Sequence, residues 1–189
     1  IYLLTLLTVT GHFTLSTYFA PYILQVGGFG QDTVAALLLV LGGAGIVGSA
    51  VGGKYAERYP YAMLVAPLLV VCACLGLMSV VRTGLPAAVV LCFFWGAAMT
   101  CAGLVFQTRV LNDASDSADV AVSMYSGTYN IGIGGGALIG SRVFDGYGIS
   151  WLGYAGAVFV FAAVLVAAFG FARKYSSTGT GVSEPGAQE

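Results

Sequence analysis

Stretches of about twenty apolar residues, separated by short polar joints, follow one another along almost the whole chain. A hydrocarbon core of ~30 Å asks about 20 such residues of a helix that crosses it. Six stretches meet that demand: residues 1–26, 34–53, 62–81, 86–108, 119–141 and 151–172. The joints carry the turn residues and most of the charge: Gly27 to Asp32, Lys54 to Tyr61, Arg82 to Pro86, Arg109 to Ala118 and Arg142 to Ser150. Strands of a membrane barrel would alternate polar and apolar residues in ~10-residue segments, and these runs do not alternate. The expectation is an all-α membrane protein: a six-helix transmembrane bundle over residues 1–172 and a polar, disordered, cytoplasmic tail over 173–189.

Composition removes the other classes. Charged residues make up 8% of the 189, seven Lys and Arg against eight Asp and Glu. A soluble domain carries roughly a quarter, and disordered chains are polar and charged. The 28 glycines follow no three-residue period, which excludes collagen. The balanced charge leaves no basic footprint for nucleic acid. Cys72, Cys74, Cys92 and Cys101 lie inside apolar runs without a CxxC spacing and read as small buried hydrophobes. The chain opens on Ile1 within an apolar run, with no basic segment of a secretory signal before it. It is therefore expected to be a piece of a longer protein that lacks its N-terminal part.

Lys and Arg set the orientation. Joints two and four plus the tail hold Lys54, Arg58, Arg109, Arg173 and Lys174, whereas the other joints hold Arg82 and Arg142. Both ends are thus expected on the cytoplasmic side.

A repeat underlies the runs. Gly48, Gly52, Lys54 and Glu57 match Gly136, Gly140, Arg142 and Asp145 at one constant offset of 88 residues. The offset spans three helices. Three crossings reverse direction, so the copies are inverted, the 3+3 arrangement of secondary transporters.

The same region contains Gly43-Ala44-Gly45-Ile46-Val47-Gly48, which fits the dinucleotide pattern G-x-G-x-x-G. That pattern needs a preceding strand and an acid about 20 residues later; the residues there are Ala66-Pro67-Leu68-Leu69. Helix packing is the better reading. Gly48 and Gly52, and Gly132, Gly136 and Gly140, recur every four residues and make flat faces for a neighbouring backbone.

Polar residues inside the runs form stripes. At 100° per residue, Thr5, Thr8, His12 and Ser16 share an arc of about 80°. Gly96, Thr100, Gly103 and Gln107 share a face of the fourth run. Ser123, Ser126 and Asn130 form a stripe on the fifth, opposite its glycines. A polar stripe facing lipid is costly, so these are expected to line a wet cavity for hydroxyl-rich solutes. Its candidate residues are His12, Ser16, Gln107, Tyr125 and Asn130, with Tyr129 a second aromatic beside Tyr125. His12 is the sole histidine, and an intramembrane ionisable group marks function. No Asp, Glu, Lys or Arg sits mid-span, so an acid for proton coupling is expected in the missing part. An enzyme is not expected. No nucleophile element accompanies His12, and one His with four scattered Cys does not supply a metal site; neither metal nor cofactor is expected.

Gly52-Gly53-Lys54-Tyr55-Ala56-Glu57-Arg58-Tyr59-Pro60 resembles the short cytoplasmic motif of the major facilitator superfamily, with Glu57 where Asp is usual. Ser126-Gly127-Thr128-Tyr129-Asn130 followed by Ile131-Gly132-Ile133-Gly134-Gly135-Gly136-Ala137 is similar to the eleventh helix of its drug:proton antiporter-1 group. Thr10-Gly11-His12-Phe13-Thr14, Gly42-Gly43-Ala44-Gly45-Ile46, Arg109-Val110-Leu111 and Gly153-Tyr154-Ala155-Gly156-Ala157-Val158 look like the bacterial sugar efflux transporters. Related exporters can carry an acid before the proline of their seventh helix; here Ala20 precedes Pro21.

The resemblance implies helices seven to twelve of a twelve-helix exporter in the bacterial inner membrane. The missing N-terminal six-helix half, the lipid bilayer, protons and a sugar-like solute of the arabinose or isopropyl thiogalactoside type would be its partners. Gly53, Lys54, Glu57 and Arg58 would act as a cytoplasmic gating motif. A multidrug exporter of the same superfamily and a non-transporting six-helix scaffold are the alternatives.

Overall fold

The computed structural model describes residues 1–178, with the side chains of residues 79, 80, 83, 115 and 171–178 left aside. Its secondary structure is all-helical. Seven α-helices follow in order: α1 Tyr2–Ser16, α2 Phe19–Gln25, α3 Gln31–Tyr55, α4 Ala62–Gly76, α5 Leu85–Asp113, α6 Ala118–Tyr147 and α7 Leu152–Thr178. Short 3-10 turns at Met78–Thr83, Ser115–Ser117 and Ile149–Trp151 join them. Residues Arg173 to Thr178, expected in the tail, continue α7; the rest of that tail lies outside the described residues.

Among the described residues, three segments are long and apolar enough to cross a membrane: Gln31–Tyr55, Leu85–Asp113 and Ile149–Gly170. The other three apolar runs fall short of that mark for separate physical reasons. The first is split into α1 and α2. Pro21 has no N–H for the Thr17 carbonyl and its ring crowds that carbonyl. The Tyr18 amide turns instead to the Leu15 carbonyl at 2.9 Å. The third run is α-helical for only 15 residues before tightening into the 3-10 turn at Met78. The fifth, α6, has 30 residues, but Ser, Thr, Asn and Gly dilute its apolar character.

Helix ends follow their local chemistry. Asp32 and Asp119 sit in the first turns of α3 and α6, where a negative charge meets the positive end of the helix dipole. Gly84 and Gly148 separate α5 and the Ile149–Trp151 turn from what precedes them. Their φ values of 135° and 90° are ones that only glycine adopts without strain.

The helix contacts have an internal symmetry. The dominant pairs are α3 with α5, α1 with α6, α1 with α7, α4 with α5 and α4 with α7. Exchanging the first three runs for the last three maps the first pair onto the second and the third onto the fourth. The α4–α7 pair maps onto itself. The core between these helices includes Trp95, Tyr22, Phe106, Leu15 and Ile23, all essentially without exposed surface.

Glycines make the closest pairs possible. Gly48, Gly52, Gly132, Gly136 and Gly140 are all buried. A Cβ on Gly48 would overlap the Ala97 carbonyl of α5, and one on Gly96 would overlap the Leu41 carbonyl of α3. A Cβ on Gly52 would press on Leu104 at 3.2 Å. On the other pair, a Cβ on Gly136 would stand 2.6 Å from the Thr10 oxygen, and one on Gly140 2.6 Å from the Thr14 oxygen. Gly132 faces Val9 in the same way, at 2.9 Å. Both helix pairs thus use an offset-88 glycine set against the first helix of the opposite triplet.

Two hydrogen bonds fix the α1–α6 register. Tyr2 Oη donates to the Ala121 carbonyl and Tyr18 Oη to the Ala137 carbonyl, each at 3.2 Å and each across 119 residues of sequence. Equal separations mean that the two helices run parallel.

Candidate functional site

A cavity of about 450 Å³ opens where α1, α3, α5 and α6 converge. α5 supplies half of its lining: Gly96, Met99, Thr100, Gly103, Leu104 and Gln107. These recur at three- and four-residue steps and so share one face. α1 contributes His12, α3 contributes Leu41, Gly42 and Ser49, and α6 contributes Tyr125 and Tyr129. No lining residue is an Asp, Glu, Lys or Arg.

Of the five side chains expected in the cavity, His12, Gln107 and Tyr125 are brought together in its lining, from three helices. Ser16 and Asn130 are not among its lining residues. Ser16 is the last residue of α1, beside the helix break. Asn130 is exposed, and its Nδ2 donates to the Ser126 carbonyl one turn back at 2.8 Å. Its stripe lies across α6 from the glycines that seat α1, which directs it away from the cavity.

The α3 residues carry a weak sequence signal. Gly42 and Ser49 are seven apart, two turns on one face, and Ser49 is the one serine of a helix otherwise nearly devoid of polar side chains. A single hydroxyl makes no stripe, so periodicity does not single it out.

The hydroxyls are held in different ways. Tyr125 Oη donates to the Gly103 carbonyl at 3.1 Å, tying α6 to α5 across the cavity edge. The Tyr125 and Tyr129 rings lie 6.2 Å apart, inclined by 51°. Thr100 Oγ1 donates to the Gly96 carbonyl at 3.0 Å within its own helix and retains its lone pairs for other donors. His12 is 8% exposed, and its Nδ1 is buried with no hydrogen-bond partner among the described residues. Its ring meets Phe13 edge-on at 4.8 Å and Trp95 at 5.1 Å.

The segment Gly53 to Arg58 lies at the far end of α3. Gly53, Lys54, Glu57 and Arg58 are all exposed. Lys54 Nζ stands 5.3 Å from the Tyr55 ring centre and the Arg58 guanidinium 5.3 Å from that of Tyr59, distances at which a cation is attracted to an aromatic face. Glu57 lines a second cavity of about 290 Å³ with Pro60, Thr108, Arg109 and Asn112. That cavity joins the ends of α3 and α5, so the motif abuts the helix that forms half of the main cavity's lining. Among the described residues, no group of three or more His, Cys, Asp or Glu is placed to hold a metal ion.

No protein-family model matches the chain.

Proposed function

We propose that this chain is the C-terminal six-helix half of a secondary active exporter of the major facilitator superfamily, built as a 3+3 inverted repeat in the bacterial inner membrane. It would carry sugars or sugar-like compounds outward by proton antiport and alternating access. The observation that carries the reading is the uncharged cavity between the two triplets of runs. It offers an imidazole, an amide, two aliphatic hydroxyls and two tyrosines, a set suited to a neutral polyhydroxylated solute. Cavities at a repeat interface are where secondary transporters bind. The exchange symmetry of the helix contacts and the offset-88 glycines support the repeat.

In this reading the bundle rocks against its N-terminal counterpart around the cavity. The Lys54 to Arg58 segment stabilises one closed state at the cytoplasmic helix ends. The acid that exchanges protons belongs to the other half, because no carboxylate lines this cavity. Met99 and the two tyrosines also favour flat apolar solutes, so a multidrug exporter is the second reading. A transport panel on the protein expressed in full from its gene and reconstituted in vesicles separates them. Proton-driven movement of arabinose or isopropyl thiogalactoside is expected; movement of drugs without sugars selects the second reading. Movement of neither supports a scaffold.

A further inference from the structure

An imidazole that binds a ligand through one nitrogen is usually aimed by a hydrogen bond at the other. His12 has no such bond. Its Nδ1 is shut in without a partner among the described residues, so Nε2 is the only polar atom the ring can offer to the cavity. Packing has to do the aiming. Phe13 is the next residue on the same helix. Among the described residues, the ring that reaches His12 from another helix is Trp95 of α5, 5.1 Å away at 62°. Trp95 is 1% exposed, is absent from the cavity lining, and its own Nε1 has no partner among the described residues. The Phe19 ring also packs on it, at 6.0 Å.

An indole whose N–H finds no partner is a poor choice for plain core filling, since buried polar groups are nearly always satisfied. Its position makes sense if the shape of the ring is what counts. We infer that Trp95 is a positioning residue: its ring edge fixes the His12 imidazole so that Nε2 meets a hydroxyl of a neutral polyhydroxylated ligand. The solute class rests on the proposed function above, whereas the Trp95–His12 relationship does not.

Two measurements on the protein expressed in full from its gene test this. The first is the rate at which diethyl pyrocarbonate modifies His12, read on its own peptide by mass spectrometry. Trp95→Ala should change that rate at least fivefold, and Trp95→Phe, which keeps an aromatic edge, should stay within twofold of the parent. Equal rates in the parent and Trp95→Ala overturn the inference, whatever the ligand is.

The second is a double-mutant cycle on isopropyl thiogalactoside affinity. His12→Ala and Trp95→Ala should each weaken binding about tenfold, and the double variant should be no weaker than either single one. Losses that multiply show independent roles and overturn it. A parent protein that binds no isopropyl thiogalactoside but retains the Trp95 effect on His12 reactivity supports the positioning role and removes the sugar assignment alone.

Discussion

Gly11 and Gly156 occupy each other's side-chain space. A Cβ built on either would stand 2.5 Å from the carbonyl oxygen of the other. The α1–α7 contact therefore exists only because both residues lack a side chain. Gly11→Ala or Gly156→Ala should force the helices apart and cost about 1–3 kcal/mol, the usual range for overpacking. A thermal melt in detergent checks this. An unchanged midpoint for both variants would mean that the two backbones do not approach so closely.

Gly134 is the opposite case. It lies mid-helix in α6, exposed, with nothing within 4 Å of where its Cβ would be. Gly134→Ala should raise the stability of the bundle by roughly 0.5–1 kcal/mol through helix propensity. The same melt, run beside the Gly156 variant, reads the difference in sign. Destabilisation by Gly134→Ala would show that another backbone approaches this face.

Ser49 and Asn130 separate the cavity from the rest of the bundle. Both are exposed serine or amide side chains on long helices, but only Ser49 lines the cavity. Ser49→Leu adds bulk inside it and should lower solute flux at least tenfold at normal expression. Asn130→Ala loses a bond within its own helix and should leave flux within twofold. Reversed effects in a vesicle transport assay would place the binding region on the outer face of α6.

Tyr125 Oη ties the cavity edge across two helices, donating to the Gly103 carbonyl. Tyr125→Phe removes that donor and leaves the ring. The carbonyl should lose about 0.5–1.5 kcal/mol of support, with solute affinity changed less than by His12→Ala. Calorimetry and binding on the same preparation distinguish the two effects.

The apolar runs were legible along the chain because a helix end needs polar or turn residues, and those sit at the joints. The glycine faces were legible because a four-residue step has one geometric meaning on a helix. The break after Ser16 was not. Proline does not always break a helix: Pro67 lies inside α4, where it conflicts only with the Met63 carbonyl in the first turn. Pro21 falls after four turns of established helix, and there the same conflict ends it. The α5 face of the cavity was legible as a stripe, whereas Leu41 and Gly42 were not, since nothing in an apolar residue says which neighbour it meets. Ser16 and Asn130 belong to polar stripes by angle, but a helical wheel does not say where along its length a helix ends or what the opposite face is already holding.

The paired tyrosine bonds bear on how this bundle can move. Tyr2 opens α1 and Tyr18 lies just past its end, and each is tied to α6 in the same register. Sliding one helix past the other by a turn would rupture both ties at once and drive the Gly136 and Gly140 notches into side chains. Shear is therefore closed to this pair. α1 and α6 move together, as a single lever, in whatever rearrangement the bundle undergoes.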